Sequence, residues 1–182
     1  AINEGVRRGY NYAENMLRAS VVDDPQFARK NTKDNTPAVI FTEIVAGNTV
    51  DVTSDVSFSG AAAPDNLRIN APVDLTLDGQ TMTLGGGAIL ITSGNSGASR
   101  ISGGVLTSSF DGNLGGAGTV SDLMIHNFGT GSLTIGATIT DSGAGKVNLV
   151  LGGTGTTVLT AANTNTGEIY LNNGVLSISS DR

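Results

Sequence analysis

Apolar residues recur in pairs spaced by two along most of the chain, and short turns separate the pairs. Alternation with a period of two places both members of a pair on the same face of a β-strand. Such a strand is too short to be stable alone, so its repetition predicts a stack of similar turns. The pairs are Leu75 and Leu77, Met82 and Leu84, Ile89 and Ile91, Leu123 and Ile125, Leu133 and Ile135, Leu149 and Leu151, and Ile169 and Leu171.

The segments between the pairs are rich in residues that favour turns, as at Asp78-Gly79, Gly85-Gly86-Gly87 and Gly103-Gly104. No proline follows Pro72, so none interrupts the hydrogen bonding of the later strands. At about 20–25 residues per turn, residues 51–182 would form roughly five or six turns. We therefore predict an all-β fold over residues 51–182, a parallel β-helix or solenoid.

The first part of the chain, residues 1–50, has a different character. Apolar residues at spacings of four, three and four predict a short amphipathic helix over residues 3–19, followed by a polar connector. Residues 38–44 have high β-propensity and predict a strand that contains Val39 and Phe41. We expect this N-terminal arm to cap the solenoid or to dock on a neighbouring chain. The helical stripe consists of Val6, Tyr10, Ala13 and Leu17.

Several strands are apolar at three successive positions, so their middle residues should point outward. Those middle residues are Leu90, Met124, Val150 and Tyr170. If one such strand occurs in each turn, they form an apolar stripe along one outer face, which the arm or another chain would cover. The alternative is that they are scattered surface hydrophobes, which need no explanation.

Composition narrows the possible functions. The chain carries a net charge of −6, which argues against nucleic acid and anionic membranes as partners. It contains no cysteine, so disulfides and thiolate metal sites are excluded, and it has no apolar run long enough to insert into a membrane. No cofactor is expected. Because the chain begins with Ala1 and lacks a signal-peptide pattern, we expect a processed product or a fragment.

The last repeat contains the segments Gly155-Thr156, Leu159-Thr160, Ala162-Asn163-Thr164, Thr166-Gly167, Leu171-Asn172 and Gly174-Val175-Leu176. These segments resemble the autotransporter-associated β-strand repeat of large secreted bacterial proteins. Asn165, Glu168, Thr157 and Ala161 depart from that pattern, which usually has Tyr, Gly, Leu and Gly at these positions. The resemblance implies a right-handed parallel solenoid that is secreted or carried on the bacterial cell surface, and it does not specify the export route.

Catalytic chemistry finds little support in the sequence. The single histidine, His126, follows Asp122 by four residues, which places the two side chains ~13 Å apart along a strand. The segment from Gly115 begins like a calcium-binding nonapeptide, but Val120 stands where that motif needs Asp. We expect no metal site. The alternative is that loop carboxylates bind calcium. We predict that the chain is not an enzyme, and a polysaccharide-acting β-helix is the less favoured alternative.

The open ends of such a stack suggest a function. Each end exposes unpaired backbone groups, so we expect a structural protein that assembles head to tail into a filament or surface layer. The alternative is a fragment of a longer passenger that acts as an adhesin stalk. The expected partner is a second copy of the chain. An extracellular glycan or a host surface is the alternative partner. The candidate interface residues are Val6, Tyr10, Leu17, Val39, Phe41, Leu90, Met124, Val150, Tyr170, Leu176 and Ile178.

Overall fold

The computed structural model describes residues 48–58, 60–111, 120–143 and 145–179. These residues belong to one compact unit, Ile44–Arg182. The predicted helix over residues 3–19 and the predicted strand over residues 38–44 lie outside the described residues. The same is true of the candidate residues Val6, Tyr10, Leu17, Val39 and Phe41. The proposed boundary between the arm and the solenoid therefore stays a prediction.

Thirteen β-strands and no helix make up the described part of the chain. The prediction of an all-β fold is confirmed for these residues. The strands are β1 (Thr49–Val52), β2 (Val56–Ser57), β3 (Asn66–Ile69), β4 (Asp74–Thr76), β5 (Thr81–Leu84), β6 (Ala88–Ile91), β7 (Ser99–Ser108), β8 (Val120–Asn127), β9 (Leu133–Ile139), β10 (Lys146–Gly153), β11 (Thr156–Leu159), β12 (Ile169–Leu171) and β13 (Val175–Ile178).

The strands form two sheets, and the chain passes repeatedly from one sheet to the other. The first sheet has the order β1-β3-β6-β8-β10-β12, and the second has the order β13-β11-β9-β7-β4-β2, with β5 paired to β7. Neighbouring strands within each sheet are parallel. This arrangement is compatible with the predicted parallel β-helix, in which each strand pairs with its counterpart one level away.

The register aligns apolar residues into columns that point between the sheets. In the second sheet one column runs Leu75, Ile101, Ile135, Leu159 and Ile178. The first four of these side chains are almost fully buried. Burial of a side chain of this size contributes about 1.5–3 kcal/mol, so the columns supply most of the driving force for folding.

The second column, in the first sheet, runs Ile89, Ile125, Leu151 and Leu171, and its first three members are buried. The outward neighbours in β8 and β10, such as Met124 and Val150, are only partly buried. The period-two pattern therefore predicted correctly which face of these strands is the inner one.

One predicted turn is in fact a bulge within a strand. Gly103 and Gly104 have φ angles of 66° and 78°, and they lie inside β7, where the register against β9 shifts between Ser102 and Val105. A Cβ on Gly104 would lie 2.3 Å from the Gln80 carbonyl oxygen, so no other residue fits there. The two glycines bend one strand and do not end it.

Buried asparagines hold the corners between the sheets. The Asn127 Nδ2 donates to the Thr156 carbonyl at 2.8 Å, and its Oδ1 accepts from the Gly129 amide at 3.0 Å. Asn95 makes the same two kinds of bond, to the Ala71 carbonyl at 2.8 Å and from the Gly97 amide at 3.2 Å. Both asparagines are fully buried, so these bonds satisfy backbone groups that no strand pairs.

Candidate functional site

The last level of the stack, defined here as β12 and β13, exposes apolar side chains that point inward. Ile169, Leu171 and Ile178 are 50%, 51% and 55% exposed, and Leu176 is partly exposed. Their register partners in β10 and β11 face the same way and are buried. The last level therefore has the inward pattern of the core, but nothing among the described residues covers it.

The two strands of this level are also the final strands of their sheets within the described residues. Their outer backbone edges consequently have no strand partner in this part of the chain. Apolar side chains and a free strand edge together are the features that another parallel strand would pair with. Sequence reasoning selected Leu176 and Ile178 here and missed Ile169 and Leu171, although these two belong to the same alternating pattern.

The predicted outer stripe lies on one face of the first sheet. Met124, Val150 and Tyr170 are consecutive register partners in β8, β10 and β12. Leu90 lies in the adjoining column, where its partner is His126. Three of the four side chains are partly buried, and Tyr170 is 45% exposed. The four residues are thus brought to one surface, and their role as an interface stays a prediction.

His126 packs into this outer face. A Cβ on Gly152 would lie only 2.9 Å from its Nδ1, so the imidazole occupies space that a side chain would otherwise fill. The ring stacks on Phe128, with 6.3 Å between the ring centroids and 13° between the ring planes. Burial lowers the pKa of His126, because the charged imidazolium loses hydration. Packing of the ring therefore favours the neutral form of this histidine.

Asp122, the other residue considered for catalysis, makes a different contact. Its Oδ1 accepts a hydrogen bond from the Asn148 Nδ2 at 2.9 Å, and the Asn148 Oδ1 accepts from the Glu168 amide at 2.9 Å. These two bonds connect β8, β10 and the residue before β12, which are neighbours in the first sheet. Asp122 acts here as a structural acceptor.

Two of the four departures from the repeat pattern, Glu168 and Asn165, make hydrogen bonds through their side chains. The Tyr170 hydroxyl donates to the Glu168 carboxylate, which raises the pKa of Tyr170. The Asn165 Nδ2 donates to the Val147 carbonyl at 2.9 Å. The departures therefore connect this repeat to the level before it and to its own outer face.

Asp141 connects the nearby start of β10 to a segment 25 residues further along the chain. Its Oδ1 accepts from the amides of Val147 and Thr166, each at 2.8 Å, and its Oδ2 accepts from the Thr166 hydroxyl at 2.7 Å. Burial alone would raise the pKa of Asp141. The hydrogen bonds from Thr166 and Val147 and the charge of Lys146 outweigh that effect, so the pKa lies below its ordinary value.

One ion pair lies on the outer face of the first sheet. The Arg68 side chain donates through two nitrogens to the Asp51 carboxylate. Over residues 48–58, 60–111, 120–143 and 145–179, no three His, Cys, Asp or Glu side chains come together as metal ligands would. No helix in the described ranges is long and apolar enough to span a membrane.

The chain is similar in sequence to a bacterial adhesin. The chain is 30% identical over 159 residues to the adhesin BmaC autotransporter of Brucella suis biovar 1 (strain 1330). The aligned region is 73% of this chain and 4% of that protein, so the chain spans a small part of the relative's length. No solved structure is significantly similar to the chain.

The matching family model corrects one prediction. A model of the fumarate hydratase (Fumerase) family matches residues 1–79, and this enzyme family overturns the expectation that the chain is not an enzyme. The matching model is not that of the autotransporter-associated repeat. Only β1–β4 of the matched region lie among the described residues. Sequence reasoning missed this match because the residues it weighed for catalysis, His126 and Asp122, lie outside residues 1–79.

The role of Asp141 can be tested with a charge-removing substitution. We expect Asp141→Asn to reduce the free energy of unfolding by about 1 kcal/mol at neutral pH, because the charged acceptor of three hydrogen bonds is lost. The folded-state pKa is below the unfolded value, so this stability is fully present above the unfolded pKa. It is lost as the pH falls through the folded pKa.

Urea unfolding at neutral and at acid pH measures both effects. Asp74→Asn is the matched control, since Asp74 is exposed in β4 and its side chain makes no hydrogen bond to another described residue. The difference between the parent chain and Asp141→Asn should shrink in acid. An equal loss of stability at both pH values would contradict the assignment.

Proposed function

We propose that this chain is part of the surface-exposed passenger of a bacterial adhesin, in which a right-handed parallel β-solenoid serves as a stalk. The observation that carries the proposal is the continuous register of inward apolar residues from level to level. The similarity to an autotransporter adhesin supports a location outside the cell. A stalk holds the binding region of an adhesin away from the cell, and an extracellular glycan or host surface is the proposed ligand of that region.

The physical properties of a stacked sheet suit this role. Every strand of the stack pairs with its neighbours through parallel backbone hydrogen bonds, and only adjacent levels contact one another. Such a stack lengthens by adding levels without redesigning its core. In a passenger of the relative's length, the next rung would cover the exposed Ile169, Leu171 and Ile178.

Surface exposure provides the first test. Antibodies raised against the purified chain should stain intact bacteria that produce the protein as strongly as permeabilised bacteria. A cytoplasmic protein stained on the same slides serves as the permeability control. Staining that appears only after permeabilisation would refute the surface role.

Self-assembly is the second candidate function, and the exposed last level is the observation that favours it. A second copy of the chain offers strands with the same alternation, so it could continue the stack at β12 and β13. Head-to-tail contacts that do not close would build a filament or surface layer. The inward face of the last level would then be the contact surface, and its outward face would stay in solvent.

The two faces of β13 allow a matched comparison. Ile178 points inward and is 55% exposed, whereas Val175 points outward and is 56% exposed. We expect Ile178→Lys to prevent assembly, because a charge would be buried in the contact. Val175→Lys adds the same charge to the same strand and should leave assembly unchanged. Sedimentation over a range of protein concentrations measures the effect.

Three results would contradict self-assembly through this face. The parent chain would stay monomeric at every concentration, both variants would assemble like the parent, or Val175→Lys would disrupt assembly as strongly as Ile178→Lys. A monomeric parent chain would leave the stalk function standing, because a further rung of a longer polypeptide can cover the same face.

A further inference from the structure

The corner between β12 and β13 contains an asparagine followed by glycine. Asn173 and Gly174 form the only Asn-Gly pair in the sequence. The Asn173 side chain is exposed at this corner, in contrast to the buried Asn95 and Asn127. It therefore differs from the other corner asparagines in both its neighbour and its surroundings.

The corner requires glycine at position 174. Gly174 has a φ of 86°, a conformation that residues with a side chain rarely adopt. A Cβ there would lie 2.8 Å from the Gly155 carbonyl oxygen and 3.1 Å from that of Gly153, so the level below leaves no room for one. Since glycine stands at position 174, no side chain of that residue hinders the approach of the Gly174 nitrogen to the Asn173 side chain.

We propose that Asn173 is a site of spontaneous deamidation that alters the last level of the stack. Hydroxide removes the proton from the Gly174 amide, and the nitrogen attacks the Asn173 Cγ. A bond forms between these two atoms and the bond from Cγ to the side-chain nitrogen breaks. The departing nitrogen takes a proton from water and leaves as ammonia, which regenerates the hydroxide. Water then opens the resulting succinimide at either carbonyl, which gives aspartate or isoaspartate.

The neighbouring hydrogen bonds determine the consequence. The Asn172 amide donates to the Leu151 carbonyl at 2.9 Å, and the Val175 amide donates to the Gly155 carbonyl at 3.1 Å. Isoaspartate adds one carbon to the main chain between these two anchored positions. The chain between them then no longer matches the corner, so β13 should lose its register against β11. Either product also adds a negative charge at the corner between β12 and β13.

The proposal is tested by incubating the full chain in warm, mildly alkaline buffer made with heavy-oxygen water. Mass spectrometry of the digested chain locates the incorporated oxygen. We expect Asn173 to react several-fold faster than every other asparagine, and Asn173→Gln to lose this reaction. Asn172→Gln is the matched control, because it changes the adjacent side chain and keeps the Asn-Gly pair.

Amide hydrogen exchange of the reacted chain tests the structural consequence. Protection of β13 should be lost in the isoaspartate form, while protection of β8 and β10 should persist. Two results would overturn the proposal. In one, Asn173 stays intact while another asparagine reacts first, and in the other the isoaspartate form keeps full protection in β13.

Discussion

The parallel register between successive strands is the constraint on which the rest of this structure depends. It places Leu75, Ile101, Ile135, Leu159 and Ile178 in one column, so each level supplies the surface that buries the next. A slip of one residue would turn every inward side chain of a strand outward. The same constraint explains the last level, whose inward residues lack, among the described residues, the cover that each earlier level receives.

The corners preserve this register where the chain leaves one sheet for the other. Buried Asn127 and Asn95 satisfy backbone groups that the strands cannot reach, and Asp141 connects the segments around Val147 and Thr166. These polar contacts contribute less energy than the apolar columns, but they fix which residue of one level lies over which residue of the next. The proposed stalk function requires that fixed alignment, because each level must add the same length to the stack.

The inner face could be predicted from the sequence, because a period of two is a local property of each strand. The alignment between levels is not local, so the bonds of Asn127 and Asp141 could not be foreseen. The outer stripe depends both on alternation within each strand and on the alignment between levels. Alternation predicted that Leu90 and Met124 point outward, but only the pairing of Ala88 with Met124 places Leu90 in the adjoining column. The match of residues 1–79 to an enzyme family rests on neither pattern, which is why sequence reasoning missed it.

Amide hydrogen exchange, followed strand by strand in the unmodified chain, tests the central claim most directly. If each level is stabilised by the one stacked on it, amides of β8 and β10 should exchange most slowly and those of β12 and β13 fastest, since the last level is covered on one side only. Equal protection of β10 and β13 in a monomeric chain would contradict this account of the fold.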